Sequence, residues 1–353
     1  MEQDVDWLIN LRARAPIGGC QDVRIKEPYA FATDHGDLRW LFQDRPRFAL
    51  PWGEGERRRL LVWQRPQGIK RNLATVRGAL ERGYLIIVDY DDYPDRAEDI
   101  ACDYFPLRAC HAIQTSTPAL AEILRRHNPN VMVFENRVSP PPAQPRTERE
   151  HQDPRILFAA LNRTEDMLAL APALDAVLNA HPLAELAVVG DRAVHDAIYS
   201  PNKSFFPLLN YTDYWACMDN VDIVLLPLSD TLFNRCKSPL KFLEASARGV
   251  AALASPTVYN DLIQHDHNGL LFADGEQFAR GLEILIRRPD QRRRLAEAAR
   301  VEVMKDWRLT AADFERRLAW YDALDRDREA LNRALIARTP ELADHASTQD
   351  GSC

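Results

Sequence analysis

Strand-sized runs that are apolar from end to end alternate with helical stretches along this chain, and that pattern leaves few folds open. Residues 84–88, 112–115, 131–134, 155–160, 186–189, 221–226 and 250–254 read as strands without the polar–apolar alternation of a half-solvated sheet, and a basic run at 57–65 enters another. A strand apolar on both sides must be covered on both faces, as helices crossing between parallel strands do. Helical patterns fill the gaps at 69–82 (closed by Gly83), 118–126, from 160 to about 179, 212–219, 256–264 and 275–288. The fold class is α/β, with ligand-binding loops expected after the carboxyl ends of the strands.

The 353 residues leave room for two domains, each with its own core. Between 139 and 154 proline and charge are dense and periodicity stops, which marks a linker. The division predicted is a first domain over 1–140, a second over 141–310, a charged helix over 311–338 and a flexible tail over 339–353. The helix carries an apolar stripe, Phe314, Leu318, Tyr321 and Leu324, that must dock somewhere, and the first domain is within its reach.

Apolar residues make up 46% and charged residues 27%, the mix of a globular protein, and the net charge of −7 argues against a general nucleic-acid binder. The first sixteen residues show no long apolar run or cleavage-like site, so no signal peptide is expected, and the longest apolar runs, such as Val221–Pro227, are strand-sized, so no membrane span is expected either. The six cysteines form no C-x-x-C pair and read as buried or incidental thiols. The compartment expected is the cytoplasm, with peripheral association at the inner face of the membrane left open. The oligomeric state is not legible.

The strongest local signal is Cys236-Lys-Ser-Pro-Leu-Lys-Phe-Leu-Glu244, followed by Gly249 and the strand at 250–254. It reads as a loop, a short helix opened by Ser238 and Pro239, a glycine stop and a buried strand. Such a helix points free N–H groups at the preceding loop, where a diphosphate can bind. Leu240, Leu243 and Ala247 are expected on the buried side. Lys241, Glu244 and Arg248 fall together on another, where Glu244 can accept hydrogen bonds from sugar hydroxyls. The bland alternative is a surface ion pair between Lys241 and Glu244.

With these pieces in place, residues 155–305 resemble the nucleotide-sugar half of retaining GT-B glycosyltransferases of the group 1, or family 4, class. The matching segments are Leu161-Asn-Arg-Thr-Glu-Asp166, Val189-Gly-Asp191, Val221-Asp-Ile-Val-Leu-Leu-Pro227, Lys237-Ser-Pro-Leu-Lys-Phe-Leu-Glu244, Gly249, Ala254-Ser255 and Asn268-Gly-Leu-Leu-Phe272. Residues 60–138 resemble more loosely the first half of a subgroup, through Val62-Trp-Gln-Arg-Pro66, Val88-Asp-Tyr-Asp-Asp92 and Thr115-Ser-Thr-Pro-Ala-Leu120. The resemblance implies two Rossmann-like domains with parallel sheets facing a central cleft, and a C-terminal helix crossing back to the first domain. The first domain would bind the acceptor and the second the donor.

The roles implied are specific. Glu244 would bind the ribose hydroxyls, and the backbone of Ser238, Pro239 and Leu240 would hold the diphosphate, with Asn162 and Gly190 also in the donor site. Arg163 would contact phosphate, with a plain surface charge as the alternative. The family's second basic residue is absent from its usual place, where Thr164-Glu-Asp166 stands, and Lys237 or Lys241 would replace it. The family often carries a glutamate eight positions before the second one, but Cys236 stands there, which puts the hexose contacts in doubt. No neighbouring base argues for Cys236 as a nucleophile.

Arg65, Asp89, Asp91 and Asp92 end strands and read as acceptor or cleft contacts. For the aspartates the alternatives are a Mg²⁺ or Mn²⁺ site or a loop-closing role, and for Arg65 a salt bridge. His111, His265 and His267 read as structural. Tyr211, Tyr214 and Trp215 read as a core helix face, with stacking on the base as the alternative.

The activity implied is transfer of a sugar from a nucleoside diphosphate sugar to a hydroxyl of a glycan, lipid-linked glycan or protein, with retention and with no metal or other cofactor required. The alternatives are an epimerase or phosphorylase on the same scaffold, or a non-catalytic binding subunit, which Cys236 would favour.

Overall fold

In the computed structural model, the chain divides into two compact units. One comprises residues 1–135 and 310–353, the other residues 136–309. The structure describes residues 7–13, 19–34, 38–44, 50, 58–67, 69–145 and 153–342. Part of the proline-rich stretch (146–152), residues 1–6 and 14–16 of the opening segment, and the tail from 343 onward lie outside them.

The first unit holds a parallel sheet of β1 (Trp7–Arg12), β2 (Leu38–Gln43), β3 (Arg58–Gln64), β4 (Tyr84–Asp89), β5 (Ala112–Thr115) and β6 (Val131–Val133), in the order β2-β1-β3-β4-β5-β6. Every residue of β4 is buried, as an apolar run covered on both faces requires. The two strands not anticipated, β1 and β2, have mixed composition, and β2 lies at the sheet edge with Trp40 and Leu41 exposed. Residues 311–338 were expected as one helix. They form two, Ala311–Arg326 and Arg328–Arg338, interrupted at Asp327. Phe314 and Tyr321 are buried in the core of this unit with Trp7, Tyr29, Leu60 and Ile87, and Leu318 and Leu324 pack against it.

The second unit holds β7 (Arg155–Ala159), β8 (Glu185–Val189), β9 (Lys203–Phe206), β10 (Ile223–Leu226), β11 (Ala251–Ala254) and β12 (Leu270–Leu271), in the order β12-β11-β10-β7-β8-β9, again all parallel. The strand order reverses between β7 and β10, the place where ligands bind in open α/β sheets. Helices Ala171–Ala180 and Gly275–Arg287 bury Leu174, Leu178, Phe278 and Leu282 in its core. Residues 256–264 were expected to be helical but form turns: Asn268, from the following turn, donates to Leu262 O and accepts from Gln264 N. Among the described residues, no helix is long and apolar enough to cross a membrane.

His111 anchors the last long helix to the first unit. Its Nδ1 accepts the Ile86 N–H at 2.8 Å, so the proton sits on Nε2, which donates to Asn332 Oδ1 at 2.7 Å. Burial lowers its pKa from 6.5 to about 4, more than the Asn332 bond raises it. The unfolded chain therefore binds the extra proton first. The stability contributed is complete above about pH 6.5 and is lost as pH falls toward 4, about 3 kcal/mol in all. Urea unfolding at pH 7.5 and pH 5 should show the wild type losing about 2 kcal/mol more than His111→Gln. Equal losses would reject this role.

Candidate functional site

In the second unit, two carboxylates, Asp166 and Asp191, organise the loops that follow the strands. After β7 the chain turns through Asn162, whose φ of 56° lies in the left-handed region that asparagine tolerates. Arg163 then precedes helix Thr164–Leu168 and donates from Nη1 to Asn162 O at 2.8 Å. Asp166 accepts from the Ser229 N–H at 3.0 Å and from Asn234 Nδ2 at 3.2 Å, tying this loop to the one after β10. Asp191 accepts from Thr164 Oγ1 at 2.6 Å and caps the next helix through Val194 N, tying it to the loop after β8. Gly190 has φ 83°, and a Cβ there would stand 3.5 Å from Leu161 and 3.7 Å from Leu208. The position therefore requires glycine for its backbone.

The 236–244 segment follows helix Leu232–Arg235. Cys236 is 1% exposed, a buried thiol. Lys237 Nζ lies 4.1 Å over the Phe233 ring. Ser238 was expected to cap the helix but does not. Pro239 is the N-cap residue, the helix runs Leu240–Ala247, and the Ser238 hydroxyl instead accepts from Asn136 Nδ2 at 2.8 Å. Pro239 has no N–H, so the orphan donors at this helix start belong to residues 238, 240 and 241 rather than to 238–240 as a run. Ser238, Pro239, Leu240 and Lys241 are all half-buried, so this helix end is open rather than sealed in protein. Gly249, at φ 65°, stops the helix, with its N–H on Ser246 O and the Val250 N–H on Ala245 O.

The burial pattern of this helix differs from the expected one. Phe242, Leu243, Glu244, Ala245 and Ser246 are buried, while Leu240 and Ala247 are only half-buried. Glu244 is 1% exposed and accepts from Tyr211 Oη at 3.1 Å and Lys241 Nζ at 3.2 Å. The Lys241–Glu244 ion pair is therefore present, but with the carboxylate inside rather than on the surface. Lys241 Nζ also lies 3.9 Å over the Tyr214 ring, and Tyr211 stacks on Tyr214 with centroids 6.3 Å apart. Burial raises the Tyr214 pKa well above normal, and the Glu244 charge adds to it. Tyr259, 4% exposed, is raised by burial, with Arg163 opposing and Glu244 and Asp166 reinforcing the shift. Arg163 and Asp166, from the segment after β7, and Glu244, from a second segment, thus act on one phenol.

The first unit treats its four candidates differently. Asp89 is fully buried: Oδ2 pairs with Arg24 Nη2 at 2.9 Å and accepts from Gln114 Nε2 at 2.7 Å. It is held inside the unit, away from any substrate hydroxyl. Burial disfavours the Arg24 charge, but Asp89, with Asp91 and Tyr29 adding to it, raises the guanidinium pKa. Arg65 sits at φ 42° just after β3 and binds Asp91 at 2.6 Å and Asp92 at 3.3 Å. Burial would lower its pKa, but Asp91, then Cys20 and Asp92, raise it well above normal. Burial would likewise raise Asp91, and Arg65 overrides it and lowers the value. The aspartates are thus held by arginines, the salt bridge weighed for Arg65 is present, and among the described residues no group of His, Cys, Asp or Glu could hold a metal ion.

Sequence reasoning did not single out Arg24, Asn136 or Tyr259. Arg24 lies in a π-helical turn, Asp22–Lys26, with no local pattern pointing to β4. Asn136 reaches Ser238 across about a hundred positions. The comparisons add what the geometry alone does not. Residues 153–288 match the family model described as Glycosyl transferases group 1.

That match lies within the second unit and spans about two fifths of the chain. The whole chain has the fold of GT-B glycosyltransferases. It is similar to HepE of Anabaena, solved with UDP and glucose, at 12% identity and TM-score 0.61, covering 90% of this chain and 99% of that one. It is also similar to sucrose-phosphate synthase of Thermosynechococcus elongatus, at 13% identity and TM-score 0.58, covering 94% and 99%. Similarity to TarM of S. aureus, solved with UDP, fondaparinux and a GlcNAc-glycerol, is at 10% identity and TM-score 0.52. It covers 76% of this chain but only 55% of TarM, about half its length. No curated sequence relative matches. The group 1 match takes in the loops after β7, β8 and β10 and the helix carrying Glu244, so these segments belong to the matched domain.

Proposed function

We propose that this chain is a retaining glycosyltransferase that moves a sugar from a nucleoside diphosphate sugar to an acceptor hydroxyl. The observation that carries the reading is Glu244. It is a buried carboxylate held by Tyr211 and Lys241 in the group 1 domain, on a helix whose first-turn N–H groups lie at a half-exposed end. Anion-seeking donors and a hydroxyl-seeking carboxylate on one short helix suit a nucleoside diphosphate.

In this reading the ribose hydroxyls donate to Glu244, and the diphosphate rests on the N–H groups of residues 238, 240 and 241. Arg163 and Lys237 neutralise the charge that grows on the leaving diphosphate, Lys241 orients Glu244, and Asn162 and Gly190 shape the loops around the nucleotide. Retention follows if the acceptor attacks from the face that the phosphate leaves, with a phosphate oxygen taking its proton. We assign acceptor contacts to the surroundings of Arg65, Asp91 and Asp92, and leave Asp89 out. The acceptor is a glycan, a lipid-linked glycan or a protein, the setting is the cytoplasm, and no metal is needed for the transfer.

Arg163→Ala is expected to lower kcat/KM about a hundredfold, since it removes a charge that acts on the leaving group. Turnover of UDP-, GDP-, ADP- and dTDP-sugars with an acceptor mixture tests this, and a variant with wild-type turnover would reject the role. A second reading, a nucleotide-sugar-binding subunit without turnover, is favoured by the buried Cys236 standing where a glutamate is usual. It predicts nucleotide binding with no transfer to any acceptor.

A further inference from the structure

Ser238 stands immediately before the Leu240–Ala247 helix and its capping Pro239, and its hydroxyl does not cap that helix. Among the described residues, its side-chain hydrogen-bond partner is Asn136, whose Nδ2 donates to Oγ at 2.8 Å. A serine hydroxyl has one proton and two lone pairs. With a lone pair taken by an amide N–H, the hydroxyl proton is left to donate elsewhere. Ser238 is half-buried, so that proton has access to solvent or to a ligand at the helix start.

Asn136 is itself held firmly. It is 7% exposed and lies where the chain enters the second unit. Two residues on, Val138 is fully buried and forms a bridge with Arg308. Its N–H reaches Trp307 O at 3.0 Å, and its carbonyl accepts the Leu309 N–H at 2.8 Å. The two chain passages, 136–138 and 307–309, therefore brace one another and fix the amide that meets Ser238.

We propose that Asn136 is a positioning residue that sets the Ser238 hydroxyl as a hydrogen-bond donor to the diphosphate of the nucleotide donor. The inference rests on the reading of this helix start as the diphosphate site. It adds a side-chain donor to the backbone N–H groups and explains why a serine that caps nothing has a buried amide directed at it. The orientation matters because a freely rotating hydroxyl loses part of its interaction to the entropy of ordering.

The test is a double-mutant cycle on nucleotide binding, using Ser238→Ala, Asn136→Ala and the double variant of the full chain. Calorimetric titration with UDP, GDP, ADP and dTDP finds the nucleoside diphosphate that binds most tightly, and its parent nucleoside serves as the control. Ser238→Ala is expected to weaken diphosphate binding about tenfold, the loss of one hydrogen bond to a charged group, and to leave the nucleoside unaffected. Asn136→Ala should weaken it severalfold in the wild-type background and by less than twofold in the Ser238→Ala background. Equal losses in both backgrounds would mean that Asn136 acts through the fold rather than through Ser238, and would overturn the inference. Wild-type diphosphate affinity in Ser238→Ala would also overturn it, a result that does not depend on whether Asn136→Ala folds. Failure of the wild-type protein to bind any of the four diphosphates would instead overturn the donor reading and this inference with it.

Discussion

Glu244→Gln is expected to weaken nucleoside diphosphate binding between about tenfold and a hundredfold while the second unit stays folded. Glutamine keeps the size of the side chain and one acceptor oxygen, so Tyr211 retains a partner. It removes the charge that pairs with Lys241 and would accept from the ribose. Lys241, about one third exposed, can turn to water, so the lost pair costs little stability. Glu244→Ala is a poorer probe. Because Glu244 is 1% exposed, alanine would leave a cavity and strand the Tyr211 hydroxyl, at a cost of about 1–3 kcal/mol. Titration of both variants with the best diphosphate, alongside thermal unfolding, separates the two effects. Unchanged affinity in Glu244→Gln would remove the ribose role.

The largest expected loss of stability lies in the first unit. Asp89→Ala should destabilise it by about 3–5 kcal/mol, because it leaves Arg24, 1% exposed, as an uncompensated buried charge. The damage would spread. Gln114 donates to Asp89 and accepts from Tyr321, which in turn meets Tyr29, so one buried polar network joins the end of β4 to the helix Ala311–Arg326. Replacing both partners, Arg24→Met with Asp89→Leu, should recover much of the loss by removing the pair as a whole. Hydrogen exchange of the β3–β5 amides reads the first unit separately. A loss below about 1 kcal/mol in Asp89→Ala would show that Arg24 finds water or another partner.

These two carboxylates show what the sequence could and could not reveal. Continuous apolar runs such as β4 and β10 were legible because a strand buried on both faces admits little else. β1 and β9 were not, since Asn10 in one and Lys203 and Ser204 in the other break the run, while Asn10 and Lys203 find partners only in the fold. The helix at 240–247 and its glycine stop follow from local rules, and so does the proximity of Lys241 to Glu244 at helical spacing. The depth of Glu244 does not, because it depends on Tyr211 in another helix. Asp89, Asp91 and Asp92 look alike in sequence. The structure separates them through Arg24, more than sixty positions earlier, and Arg65, which binds Asp91 and Asp92. Asn136 and Ser238 make the same point at the donor loop, since no periodicity relates residues about a hundred positions apart within the second unit.

The most direct test of the central claim is a crystal structure of the protein with the nucleoside diphosphate it binds best. The account predicts the diphosphate at the start of the Leu240–Ala247 helix, within hydrogen-bond reach of the N–H groups of 238, 240 and 241, and the ribose on Glu244. A nucleotide bound elsewhere, or a diphosphate pointing away from that helix with Glu244 still closed on Tyr211 and Lys241 alone, would contradict it.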